Sequence, residues 1–191
     1  MSEPHRAEWD DRHRGKPAGE AEPFLAAMLP RMPRGVAFDV AAGRGRNALP
    51  LARAGMAVVA VDFSGEAMRL LAASARTERL DIWPIVANLA SFHLKDESFD
   101  AIVNINFLDR ALFSNFARAL RPGGILIAET FLVDQAAIGH PRDPRFLLDH
   151  GELRALAGEL EVEEYREGAV TYPNGGRAFR AAIAARRKQA I

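Results

Sequence analysis

VAFDVAAGRGRNA, residues 36–48, is the stretch that decides the fold of this chain. Val36-Ala37-Phe38-Asp39-Val40 is a short, apolar, β-rich run, the mark of a buried strand. Ala41-Ala42-Gly43-Arg44-Gly45 follows as a glycine turn, and from Arg46 the stretch RNALPLARAG reads as a helix stopped by Gly55, with Pro50 in its first turns. A strand that passes through a glycine turn into a helix is the opening unit of an α/β sheet, and open sheets of this kind bind ligands at the C-terminal ends of their strands. Gly43 and Gly45 permit positive φ and let backbone approach a ligand closely. The same turn also serves as a plain tight connection, so a ligand reading needs further signals.

The units on either side repeat the pattern. MAVVAVD (56–62) is a second buried strand, Ser64 an N-cap and Glu66 a favourable first-turn charge, with Met68, Leu71, Ala72 and Ala75 at helical spacing. IWPIVA (82–87) is a third strand whose proline places it at an edge or a strand start. FDAIVNI (99–105) is a fourth, followed by a helix with Leu112, Phe113, Phe116 and Leu120 on one face, ended by Arg121-Pro122-Gly123-Gly124. ILIAETF (125–131) is a fifth strand, 132–148 an irregular stretch, and Asp149 with Glu152 a capping box for a short helix. VEEYREGAV (162–170) and RAFRAAIAA (177–185) flank TYPNGG, a hairpin signal centred on Asn174-Gly175. FLAAML (24–29) is a short helix ended by Pro30 and Pro33, and residues 1–22 form a charged arm preceding a single domain over 23–191. The expected fold is α/β: a Rossmann-like, doubly wound, mostly parallel seven-stranded sheet with a C-terminal antiparallel hairpin. An exposed final strand is expected to be available for pairing with another subunit, so monomer and homodimer both stay open.

Composition narrows the functional classes. The 191 residues carry 25 basic and 25 acidic side chains and no cysteine. Zero net charge argues against a general electrostatic grip on nucleic acid or membrane. The lack of cysteine removes disulfides, thiolate metal sites and cysteine nucleophiles, and no metal site is expected. The absence of a signal-peptide core or an apolar spanning run gives a cytoplasmic expectation.

Asp62 ends the second strand, where a carboxylate accepts both hydroxyls of a ribose. Together with Gly45 it points to a nucleoside-containing ligand. GRGRNA also fits G-x-G-x-x-A, a dinucleotide fingerprint. Asp39, just ahead of the turn, weighs against that version: it would repel a pyrophosphate and welcome an ammonium group.

These residues resemble the class I S-adenosylmethionine-dependent methyltransferases over most of the chain, from about Trp9 to the final strand. Asp39 to Gly45 matches the family's acidic-x-G-x-G-x-G motif, with Ala41 where the first glycine is usual. Val61-Asp62-Phe63-Ser64 resembles the second motif, Ser98 to Val103 the fourth-strand motif, and Leu120 to Gly124 the turn before the fifth strand. Gly45-Arg46-Asn47, NFLDR (106–110), ETF (129–131) and PRFLLDHGEL (144–153) are most similar to the tellurite-resistance type of small bacterial methyltransferases, which does not make tellurite the substrate. The resemblance implies S-adenosylmethionine as cofactor and S-adenosylhomocysteine as product. It places Ala41, Gly43, Gly45 and Asn47 along the ligand's methionine part and ribose, with Asp39 orienting the amino group. Asp62 would hold the ribose hydroxyls, with Phe63 against the adenine and Ser64 beside them. Asn88 would accept from the adenine amino group, with Leu89 next to it. Asn104, Ile105 and Asn106 would contact the amino end, and Trp9 and Arg12 of the arm would cover the site.

Methyl transfer from a sulfonium needs alignment and exclusion of water more than a dedicated catalyst. A base is required only if the acceptor must lose a proton. Acceptor-side candidates are Arg110, Glu129, His140 and Arg145, and 132–148 is expected to form a lid carrying His140, Arg142 and Arg145 over a small, anionic acceptor. The alternatives are a methyltransferase of a macromolecule and a Rossmann nucleotide-binding protein, non-catalytic or nicotinamide-dependent.

Overall fold

The structure is a computed structural model describing residues 3–172 and 174–189. Its centre is a seven-stranded sheet in the order β3-β2-β1-β4-β5-β7-β6. The strands are β1 (Val36–Val40), β2 (Ala57–Asp62), β3 (Ile82–Val86), β4 (Phe99–Ile105), β5 (Leu120–Phe131), β6 (Glu161–Thr171) and β7 (Arg177–Arg186). Strands β1 to β5 pair in parallel, and β7 runs antiparallel to both β5 and β6. Strand β1 is central and buried on both faces, which is why its sequence is apolar without alternation. Pro84 is tolerated because β3 is an edge strand.

The helices are α1 (Glu3–His13), α2 (Pro23–Met28), α3 (Ala48–Arg53), α4 (Gly65–Glu78), α5 (Leu112–Ala119), α6 (Gln135–Ile138) and α7 (Glu152–Leu156). One face of the sheet buries Phe24, Leu25, Leu51 and Leu71 from α2, α3 and α4; the other buries Phe113, Phe116 and Leu153 from α5 and α7. Helix α4 starts where its sequence says it should, with the Ser64 hydroxyl accepting the Ala67 N–H at 3.0 Å.

Four details depart from the sequence reading. Strand β5 begins at Leu120, and Arg121 to Gly124 loop out within it, because Phe99 pairs with Leu120 while Ala101 pairs with Ile125. The loop is held by backbone bonds to Arg187 beyond the end of β7. Residues 132–148 are not irregular throughout: they hold α6 and a 3-10 turn (Pro144–Phe146), and the fully buried Leu132 and Leu148 bridge the ends. Only half of the capping box forms. Glu152 accepts the Asp149 N–H at 2.9 Å, but α7 starts after Gly151, whose φ of 75° turns the chain and leaves the Asp149 side chain outside the cap. Finally, β7 is interior; the exposed edges are β3 and β6.

Gly45 fixes how closely the first helices approach the sheet. A Cβ there would lie 2.3 Å from Cδ1 of the fully buried Leu71, at a φ of 88°. Gly45→Ala is therefore expected to destabilise the fold by about 2 kcal/mol or more, from overpacking and left-handed backbone combined. Urea unfolding measures it, and a loss below about 0.5 kcal/mol, the size of an ordinary surface change, would contradict this packing.

Candidate cofactor and acceptor site

Two carboxyls from adjacent strands define the C-terminal edge of the sheet around the glycine turn. Asp62, at the end of β2, accepts the Gly43 N–H at 2.8 Å through Oδ2 and the Ser64 N–H at 2.8 Å through Oδ1. It thereby ties the turn to the start of α4, and each oxygen keeps a further lone pair for a ligand donor. Asp39, in β1, is fully buried, and neither of its oxygens has a hydrogen-bond partner. The Asn47 amide and Ala48 N–H ease its charge without reaching hydrogen-bond geometry. Burial, with Asp62 nearby as a second cause, pushes its pKa up to about 8. An isolated buried carboxyl is costly unless something pairs with it, and these two oxygens fit the ammonium group of an amino-acid ligand.

The turn itself is bent for close approach. Ala41 holds a φ of 50°, in the position where the resembled family has glycine, and Gly43 a φ of 52°. A Cβ on Gly43 would meet His13 of α1 at 3.3 Å. Asn47 is buried with its Oδ1 unpartnered, as is Oδ1 of Asn104 in β4, next to the buried Ile105. Asn106 follows with a left-handed φ of 61°. Asn88 accepts the Ala90 N–H at 3.1 Å, so its amide oxygen already fixes the short turn that carries the buried Leu89.

The arm packs on this edge. Asp10 accepts from the Ser64 hydroxyl at 2.5 Å and from the Glu66 N–H at 3.0 Å, and the Arg6 guanidinium lies 4.6 Å over the Phe63 ring. Trp9 stacks on His13, and Arg12 covers Trp9; both Trp9 and Arg12 are exposed. Arg44 sits 2.8 Å from His13 Nδ1, and since a guanidinium only donates, His13 accepts there and carries its proton on Nε2. Burial lowers the His13 pKa, consistent with a neutral ring. Sequence reasoning missed Asp10, His13 and Arg44. Their pairing crosses between arm and turn, and nothing in local spacing announces it.

A second polar group lies near the C-terminal ends of β4 and β5 and in the first half of β7. Glu129 and Arg180 are each 2% exposed, with Arg180 Nε donating to Glu129 Oε1 at 2.9 Å. Arg180 also donates to Asn106 Oδ1, and Asn106 to the buried Glu22 at 3.3 Å. Arg46, next to Gly45, pairs with Glu22 at 3.1 Å. Glu129 was singled out from sequence; Glu22, Arg46 and Arg180 were not. Arg180 had a legible signal, a charge at an inward position of an alanine-rich strand.

The other acceptor-side candidates lie elsewhere. Arg110 forms a forked ion pair with Glu152 at 2.5 and 3.0 Å and donates to the Leu147 carbonyl at 2.9 Å. Arg145 pairs with Asp143 at 2.6 Å on the exposed surface. His140 is exposed, and its carbonyl accepts from Gln135 at 3.1 Å. Among the described residues, no cluster of three or more His, Asp or Glu side chains is arranged to hold a metal ion.

The strand order and the glycine turn at the sheet edge define an α/β protein with a Rossmann-like, mostly parallel sheet. Residues 37–124 match the family described as "Methyltransferase domain". The chain is 35% identical over 100 residues to the demethylmenaquinone methyltransferase of Renibacterium salmoninarum, a match covering 49% of this chain and 40% of that protein. It shares its fold with TehB from Haemophilus influenzae at a TM-score of 0.74 and 21% identity, covering 86% of this chain and 61% of TehB. A SAM-dependent methyltransferase from Methanosarcina mazei superposes with a TM-score of 0.69 and 22% identity, covering 90% of this chain and all of that one (100%). The chain thus matches well under two thirds of the curated relative's length.

The raised Asp39 pKa has a measurable consequence. Between pH 3.8 and about 8 the folded protein holds a proton on Asp39 that the unfolded chain has lost. Its contribution to stability is therefore complete at low pH and falls as pH rises through that window. Asp39→Asn removes this dependence, so the variant gains stability over the parent at pH 8 relative to pH 5. Urea unfolding at both values checks this; equal differences at the two would contradict it.

Proposed function

We propose that this protein transfers a methyl group from S-adenosylmethionine to a small acceptor. The observation that carries the reading is Asp39: a buried carboxyl with two unpartnered oxygens, one turn of chain from Gly43. When bound, the sulfonium ligand supplies an activated methyl group. Asp39 holds its ammonium, with Asn104, Ile105 and Asn106 at the same end. Asp62 receives the ribose hydroxyls on its remaining lone pairs, beside Ser64. Ala41, Gly43, Gly45 and Asn47 line the turn, and Phe63, Asn88 and Leu89 lie toward the adenine. The arm, residues 1–22, closes this edge through Trp9 and Arg12, excluding water; its first two residues lie outside the described part of the chain.

A nicotinamide dinucleotide is disfavoured by the same carboxyl, since a pyrophosphate at the turn would face Asp39. The balanced charge of 25 basic and 25 acidic residues favours a small acceptor over nucleic acid. Among the described residues no helix is long and apolar enough to cross a membrane. With the cysteine-free composition this supports a cytoplasmic setting. The demethylmenaquinone acceptor of the Renibacterium relative is not carried over, because the match covers 40% of that protein.

Titration calorimetry with S-adenosylmethionine, S-adenosylhomocysteine and NAD tests the cofactor. Both sulfur ligands should bind, NAD should not, and Asp62→Ala should weaken binding by about tenfold or more, the loss of roughly 1.4 kcal/mol. Binding of NAD alone would overturn the reading.

The anionic acceptor expected from sequence would depend on the arginines of 110–145. Arg110 and Arg145 already pair with Glu152 and Asp143, so an anion would have to displace those carboxylates. The proposal therefore keeps a small acceptor and takes recognition away from the segment carrying His140. Replacing Arg142 and Arg145 together by Ala should leave the acceptor KM within about twofold, whereas losing a charge-assisted contact would raise it about tenfold or more.

A further inference from the structure

We propose that the acceptor is recognised at Glu129 through a hydrogen-bond-donating headgroup, an N–H donor such as an amide or amidinium, and that oxyanions are rejected there. Assigning this subsite to the acceptor rests on the methyltransferase reading; donor binding at Glu129 does not.

Glu129 carries one unpaired buried oxygen. Glu129 Oε1 receives Arg180, while the buried Oε2 has no partner. A buried carboxylate oxygen without a donor is unfavourable, so a group that brings one gains affinity from completing it. Glu129 forms part of the wall of a cavity of about 80 Å³, with Arg166, Gly168, Val170, Arg180 and Ala182. That volume suits a headgroup of a few heavy atoms.

The surrounding charges decide the sign. Glu22 and Glu129 are buried carboxyls on either side of Arg180, the one buried guanidinium among the described residues. Arg180 is committed: it donates to Glu129 and Asn106, lies 4.0 Å from Glu22, and its guanidinium sits 4.5 Å over the Phe131 ring. Arg166 lies farther from Glu129, at 3.9 Å, and stacks on Phe24 at 4.5 Å. An oxyanion in the cavity would meet a wall that carries Glu129. A donor headgroup would instead meet a matching acceptor.

The cluster adjoins the cofactor edge by two routes. Asn106 directly follows the buried end of β4, and Arg46 joins Glu22 to Gly45. A headgroup at Glu129 is thus held beside the strand ends that carry the turn.

Acetamide, acetamidinium and acetate share one shape and differ in donors and charge, which makes them suitable probes. Each is titrated into the full-length protein saturated with S-adenosylhomocysteine, following backbone amide shifts by two-dimensional NMR. Acetamidinium and acetamide should shift Asn106, Gly168 and Ala182 saturably, with acetate at least tenfold weaker. Glu129→Gln, which presents an N–H₂ in place of an oxygen, should reverse the order in favour of acetate. Should that variant not fold, the ranking in the unaltered protein decides. Acetate binding as well as the amides, or no probe moving those three signals while S-adenosylhomocysteine binds, would overturn the proposal. If S-adenosylhomocysteine fails to bind but the donor ranking holds without it, the methyltransferase reading falls and the donor subsite stands.

Discussion

The burial of Asp39 without a partner is the constraint on which the rest of the site depends. Two carboxyls stand on neighbouring strands at the same edge, and their hydrogen bonding differs. Asp62 accepts two backbone N–H groups, which tie the turn to the start of α4. Asp39, fully buried and without a hydrogen bond, is pushed toward its neutral form. A cation beside Asp39 would reverse that effect. The same residue thus carries a cost to the folded protein and is the group proposed to receive an ammonium-bearing ligand.

The arm gives this edge its cover. Asp10 occupies the N-terminus of α4 through Ser64 and Glu66, and His13 stands over Gly43. Farther along, Glu22 reaches both Arg46 beside the turn and Asn106 beyond β4. Arm, turn and acceptor side are therefore connected through charged contacts, most of them part-buried. A Cβ on Gly43 would press on His13, which makes the turn's small residues a requirement of the arm as well as of a ligand.

The fold was legible because the sheet's period and its punctuation agree. VAFDV, the glycine turn and the Ser64 cap each carry a local signal that tertiary packing does not override. Arg121 to Gly124 misled because glycine and proline read as a stop, whereas here they are a bulge inside β5, held by Arg187 just beyond β7, far along the chain. Residues 132–148 looked irregular because their order comes from Leu132 and Leu148 burying together, a contact between ends that no short window contains. On the candidate site, Asp39 and Asp62 are legible from their positions on β1 and β2, and Gly43 and Gly45 from the turn between β1 and α3. Glu22, Asp10 and His13 are not, since an arm's charged residues read alike whether solvated or buried. Arg110 and Arg145 were attractive as free cations, and the structure gives each a carboxylate of its own.

The most direct test is the Asp39 carboxyl itself. Carbon-13 labelling of the aspartates and a pH titration by NMR would follow its resonance in the free protein and in the presence of S-adenosylhomocysteine. The account predicts a midpoint near 8 in the free protein and a fall of the midpoint by more than one unit when the ligand binds. A midpoint near the ordinary 3.8, or one that the bound ligand leaves unchanged, would contradict it.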